Sequence, residues 1–259
     1  MPMDLLVVGV ARRADGRSIL GFAETSPGRY GFLRLVAPTP TGILYSHHYR
    51  IHDLLDPVPG DLLRVEAPWA DRRPSQPENR VIDHSPWLLQ ERPAARPWIE
   101  RLEAMPVYRN PLFGNPGRAV RASDTPVEAS ILYVEPEQPQ AVCEWDGDRG
   151  DYRARLRFSV GPIRYDLPLV DARYNPLVRA AGEGVYPLER FGIRAPHGLR
   201  IVVTIGEPFH GWCYKLVACI LPRRTATLWR DATPQRVFIP CRNPVDSPLE
   251  HARTFVAGA

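Results

Sequence analysis

The chain has 259 residues, 44% of them hydrophobic and 24% charged, with a formal net charge of +4 and a pI near 9.0. No apolar run reaches the roughly 18 residues of a membrane span, and the apolar content is too high for a disordered chain. The length favours two domains only weakly, because all-β folds of this size occur as single units, and the basic balance allows a polyanionic partner without demanding one.

Leu5 to Val10 is too short for the apolar region of a signal peptide and has no basic segment before it, which predicts a strand in a cytosolic protein. Two apolar runs, Asp4 to Arg12 and Ile19 to Glu24, flank Asp15-Gly16 and predict a hairpin. Phe32 to Val36 reads as a third strand. After a long loop, "PGDLLRVEAPW" supplies a tight turn and a fourth strand, and Asn79 to Ile82 a short closing one. "ARPWIERLEAM" changes period: Trp98, Ile99, Leu102 and Met105 fall on one face of a short helix stopped by Pro106. The Gly-, Pro- and Asn-rich "VYRNPLFGNPGRAV" that follows has no periodicity and is read as a connector.

The second half is again β in character, with Ser130 to Glu135, Val142 to Trp145, Tyr152 to Val160, Tyr165 to Val170, Leu199 to Ile205 and Tyr214 to Leu221 as strands. Alternation from Tyr152 is strict: Ala154, Leu156, Phe158 and Val160 share its face, and Arg153, Arg155, Arg157 and Ser159 the other. Two halves of about five short strands each predict an all-β chain of two OB-like five-stranded Greek-key barrels. The expected division is an N-terminal barrel over 1–95, a helical and Pro-rich connector over 96–127, and a C-terminal barrel over 128–259.

Four stretches in this order, "RPSQPENRVID", "SILYVEP", "YRARLRFSVGPIRYDLPLVD" and "TIGEPFHGWCYKLVACIL", carry a resemblance over most of the chain. It resembles the dual OB-fold domain family of prokaryotic proteins. The resemblance implies two OB folds, no catalytic centre, and a nucleic-acid-binding role in bacterial or phage-conflict systems. This chain has Val170-Asp171 where the family usually has a Thr-Asp pair, and Ala11-Arg12-Arg13 after the first strand, less basic than the family pattern.

Lys215 is the only lysine among 33 basic residues, so cationic recognition here rests on guanidinium groups, which grip phosphate bidentately and stack on bases. Residues two apart on a strand lie about 6.6 Å apart. Arg153, Arg155 and Arg157 therefore offer guanidiniums at the spacing of phosphates on an extended strand, with Tyr165, Tyr174 and Trp212 as candidate stacking platforms. The competing reading of the stripe is a solvated outer sheet face. A nucleic acid, most simply single-stranded, is the expected partner. A protein-interaction scaffold that docks an effector such as a nuclease is the alternative.

Gln76-Pro77-Glu78-Asn79 lies between strand-like runs. Pro74 and Pro77 fix the backbone, and the polar side chains suit a structural clasp packed on the helix, with Glu78 bonding main-chain donors. The other reading is a wall of a ligand groove, with Gln76 and Asn79 facing base edges. His47, His48 and His52 lack a helix signature and an acidic or Cys partner for a metal shell. Glu207, His210, Cys213 and Lys215 cluster in "GEPFHGWCYK", but Cys213 enters an apolar strand, where a structural thiol is expected. Cys143, Cys219 and Cys241 form no CxxC pair with it. No Walker loop or dinucleotide fingerprint occurs, so no cofactor, metal or enzymatic reaction is expected.

Overall fold

The structure is a computed structural model and describes residues 2–13, 16–51, 55–71, 73–124, 127–148, 150–195 and 197–223. His52 and Cys241 lie outside the described residues, as does the part of the expected C-terminal barrel beyond residue 223.

The first half contains β1 (Pro2–Arg13), β2 (Gly16–Ser26), β3 (Arg29–Val36), a one-turn helix α1 (Ser46–Tyr49), β4 (Leu62–Glu66), β5 (Trp69–Ala70), β6 (Asn79–Val81) and β7 (Leu88–Glu91). Its strands form one 7-stranded sheet in the order β5-β6-β3-β2-β1-β4-β7. Helix α2 (Arg96–Glu103) follows, with Ile99 and Leu102 buried as the helical period requires.

The second half contains β8 (Ala119–Arg121), β9 (Ile131–Val134), β10 (Glu137–Asp146), β11 (Asp151–Val160), β12 (Ile163–Pro168), helix α3 (Asn175–Ala180), β13 (Gly184–Pro187), β14 (Leu199–Phe209) and β15 (Trp212–Pro222). They form two 4-stranded sheets, β12-β11-β10-β13 and β8-β15-β14-β9. The fold is all-β with curled sheets, as expected for two OB folds. The expected five strands per half omitted β5, β7, β8 and β13, which are too short to show alternation.

Each half has its own core: Leu5, Ile19, Leu35 and Trp87 in the first, Leu156, Phe158, Leu167 and Ile201 in the second. A third core joins them, with Leu6, Val8, Leu20 and Phe22 against Tyr133, Val202, Ala218 and Cys219, and with Ile99 and Leu102 of α2 alongside. This explains why Leu5 to Val8 of β1 is apolar without interruption. Leu5 and Val7 face the inner core while Leu6 and Val8 face the other half, so both sides of the strand are buried. Gly9 sits where β1 packs against β15, and a Cβ there would stand 2.9 Å from Cys219 Cβ.

The presumed connector is not free chain. Tyr108 donates its amide to the Tyr133 carbonyl at 2.8 Å, Leu112 is fully buried, and β8 pairs with β15. Its irregular sequence hides this because the segment enters the core one residue at a time.

Candidate nucleic-acid interface

The Gln76-Pro77-Glu78-Asn79 turn lies against the second half. Strand β6 runs parallel to β3, which sets Asn79 beside Arg34, a guanidinium only 3% exposed. Arg34 Nη1 donates to Asn79 Oδ1 at 2.9 Å, and Nη2 donates to the Thr204 hydroxyl of β14. Glu78 accepts the Ser130 amide at 2.7 Å and the Ser130 hydroxyl at 2.5 Å, and Gln76 Nε2 donates to the Ile205 carbonyl at 3.0 Å. Asn79 Nδ2 closes the ring on Gln76 Oε1 and Asp71. Burial lowers the Arg34 pKa to about 10, with Glu78 opposing, so it stays charged at neutral pH. Gln76 and Asn79 are buried, and their hydrogen-bonding atoms are committed to protein. The clasp grips β14 and Ser130, the residue before β9, rather than the helix on which it was expected to pack.

The arginine stripe divides. Arg155 is 7% exposed, with Nε donating to Asp166 Oδ1 at 2.7 Å. Arg153 pairs with Asp146, and Arg157 meets Asp166 at a looser 3.4 Å. Three free guanidiniums in a row are therefore not what β11 presents: Arg155 is held by the carboxylate across the ladder on β12. Tyr165 is likewise unavailable as a platform. It pairs in register with inward-facing Phe158, is 2% exposed, and its hydroxyl accepts the Leu112 amide at 2.9 Å. Tyr174 is half-buried ahead of α3, with the Arg173 guanidinium 4.8 Å over its ring.

What the stripe retains is its end. Arg157 and the exposed Arg164 line a hollow of about 450 Å³ together with Arg118, which immediately precedes β8. Arg164 and Arg118 have no carboxylate partner among the described residues. Beneath this wall, Lys215 is fully buried and donates to the Asn115 carbonyl at 2.7 Å and to Oδ1 at 2.9 Å. Burial lowers its pKa to about 8.

Trp212 belongs to a larger aromatic surface. His210 and Gly211 have φ of 48° and 81°, the two positive values of a two-residue hairpin turn. That turn places Phe209 directly opposite Trp212, with Tyr214 two residues on along the same face. The three rings are 62%, 40% and 45% exposed. Arg121 of β8 pairs in register with Trp212 and sits 5.5 Å over its ring. Phe209, Tyr214, Arg118, Arg121 and Arg164 were not singled out from sequence. The alternation of Trp212 and Tyr214 carried a signal, whereas the Arg positions depend on strand pairing.

The remaining constellation disperses. Glu207 pairs with Arg13 at 2.7 Å and also with Arg73, Cys213 is buried among Val120 and Ile205, and Lys215 turns to Asn115. Burial pushes the Cys213 thiol up, away from thiolate character. His47 and His48 lie in α1, a helical turn the sequence did not signal, and His48 Nδ1 accepts the Tyr45 amide at 3.0 Å. Among the described residues, no group of His, Cys, Asp and Glu could hold a metal ion, and no helix is long and apolar enough to cross a membrane.

Residues 3–220 match the dual OB-containing domain family, which spans both halves and the shared core between them. The chain belongs to this family. Among solved structures it is similar to a murine DNA binding protein bound with double-stranded DNA, at 8% identity and a TM-score of 0.28, over 85% of this chain and 96% of that one. No curated protein matches. In this dual OB-containing domain, Val170-Asp171 is a joint between the halves. Val170 accepts the Arg12 amide at 2.8 Å, and its own amide bonds the Val217 carbonyl at 2.9 Å. The Asp171 carboxylate is buried, accepts the Ile220 amide at 3.0 Å and holds Arg173 at 2.8 Å. Burial disfavours the Arg173 charge, but the Asp171 carboxylate outweighs it and raises the pKa. Val170 joins the shared core, where no hydroxyl is needed.

Proposed function

We propose that the protein binds single-stranded nucleic acid on its second half, without catalysis. Bases stack on Phe209, Trp212 and Tyr214, and the sugar–phosphate backbone runs past Arg121 toward Arg118, Arg157 and Arg164. The observation that carries this reading is the pairing of three exposed rings with Arg118 and Arg121 around β8, which have no carboxylate partner among the described residues, the combination of stacking platform and cationic groove by which OB folds hold a strand. Rings of this kind tolerate any base, so affinity should depend weakly on sequence and strongly on salt.

Fluorescence polarisation with a labelled single strand at several salt concentrations tests it. On a strand with hydroxyl ends, one phosphate contact each at Arg118, Arg157 and Arg164 gives a log-log slope near −2, about −0.7 for each. A folded protein that binds no strand at any salt would overturn this reading and return the exposed rings to a protein-docking scaffold. Turnover of any substrate lost on Cys213→Ser in a folded variant would overturn its non-enzymatic part.

A further inference from the structure

The same two arginines line a second and larger hollow. Arg157 and Arg164 border an open cavity of about 720 Å³ on the far side from Arg118, and so stand on the ridge between the two hollows. Its volume lies within the roughly 300 to 1,000 Å³ typical of small-ligand pockets. Pro139, Leu188 and Ile193 give it apolar surface, Glu189 adds one carboxylate, and Gln138, Gln140 and Ser159 bring uncharged polar side chains to it. Among the described residues these three side chains make no hydrogen bond, although each carries donors and acceptors. Gln138 is held at φ 48° inside the bulge where β10 slips register between Glu137 and Gln140. A left-handed glutamine in a bulge is a conformation the fold must enforce, and bulges of this kind re-aim a side chain toward a site.

We infer that this cavity is a pocket for one phosphorylated nucleotide, the terminal nucleotide of a bound strand. Its phosphate lies between Arg157 and Arg164, and its base lies against the apolar wall within reach of Gln138, Gln140 and Ser159. Two guanidiniums, one free of carboxylate among the described residues and the other held only loosely by Asp166, suit the dianion of a terminal phosphate better than the single charge of an internal one. The inference deepens the strand-binding reading and rests on it for the source of the ligand. The pocket would add discrimination that the sequence-tolerant rings lack, because the exposed amides of Gln138 and Gln140 would be covered by a bound base and left unpaired when the wrong base enters.

The test is calorimetric titration with the nucleoside 5′-monophosphates and with inorganic phosphate, beside polarisation with strands ending in 5′-phosphate, 3′-phosphate or hydroxyl only. The expected result is measurable binding of at least one monophosphate over inorganic phosphate, and a strand with one phosphorylated end bound about tenfold more tightly than its hydroxyl counterpart. Arg164→Ala, an exposed and foldable change, should erase that tenfold difference. Gln138→Gly keeps a backbone that glycine adopts readily, so it should leave melting intact while weakening monophosphate binding about fivefold. Monophosphate binding with no effect of strand ends would assign the pocket to a free nucleotide and overturn the terminal assignment. Strands bound equally whatever their ends, with no monophosphate bound, would overturn the pocket and leave strand binding standing. Monophosphate bound by a protein that holds no strand would do the reverse.

Discussion

Arg34 and Arg164 are the same residue type on strands of the same protein, and their surroundings assign them opposite work. Arg34 is buried at the seam between the halves, with Asn79, Ser130 and Thr204 as acceptors and Glu78 nearby. Arg164 stands exposed on β12, between two hollows, with no carboxylate on it among the described residues. A guanidinium whose donors are consumed by protein holds elements together, because removing an acceptor strands a buried charge. One whose donors face an open hollow is available to a phosphate. Lys215 belongs with Arg34: it is buried, and its acceptors are the Asn115 oxygens rather than a carboxylate.

The sharpest way to break this comparison is Asn79→Ala. It removes the Oδ1 acceptor of Arg34 and the bridge between Gln76 and Asp71, so unfolding in urea should show a loss of about 3 kcal/mol. Strand affinity at a temperature where the variant is folded should not change. Intact stability with lost affinity would make the clasp a binding site after all. Glu78→Ala should follow at about 1 to 3 kcal/mol, as the Ser130 amide and hydroxyl lose their acceptor.

The lysine gives a pH test. Its folded pKa of about 8 lies below the ordinary lysine value, so the unfolded chain binds more protons above pH 8, and stability rises with pH from there toward the ordinary lysine range. Below about pH 8 the penalty of the buried charge is fully present. Relative to Lys215→Met, the parent should gain about 1 to 2 kcal/mol of unfolding free energy between pH 7 and 9.5. Buried thiols contribute equally to both proteins, so the difference between the two curves isolates the lysine. Parallel curves would remove Lys215 from the group of buried cations.

Much of the fold was legible because it depends on local alternation and period. β11 and α2 show their buried faces in the sequence, whereas β1 read only as a strand, and its second buried face comes from the docking of the halves. The site was less legible because it depends on pairing. Tyr165, a candidate platform whose facing the sequence left open, faces in with its register partner Phe158, and that register is set by a turn rather than by the strand's own residues. Arg155 read as solvated because Asp166, which neutralises it, lies on the next strand. Gln76 and Glu78 bond main-chain groups of Ile205 and Ser130, partners more than fifty residues away that carry no local signal, while Asn79 bonds the side chains of Arg34, Gln76 and Asp71.

On the exposed side of the comparison, Trp212→Ala should weaken single-strand binding by about 1 to 3 kcal/mol, the usual worth of one base stacked on an aromatic ring, with little change in melting. Tyr214→Ala tests whether the neighbouring ring shares the load, and equal affinity in both variants would move the stacking surface elsewhere, with the Trp145–Tyr152 pair at 5.1 Å next in line.

The smallest effect is the most discriminating. Arg164→Ala removes one cation and no hydrogen bond or ion pair among the described residues, so the melting temperature should not move. If Arg164 meets a phosphate, one condensed counterion fewer is released on binding, and the log-log salt slope should become less negative by about 0.7. An internal phosphate contact carries no sequence information, so on strands with hydroxyl ends the loss should be the same for every sequence. Arg155→Ala is the matched control from the buried side. It leaves Asp166 without its 2.7 Å partner and should lower the melting temperature while leaving the salt slope alone. If the two variants exchange these signatures, the assignment of structural and binding arginines on β11 and β12 is inverted, and the strand runs along the face of β11 rather than through the hollows that Arg164 borders.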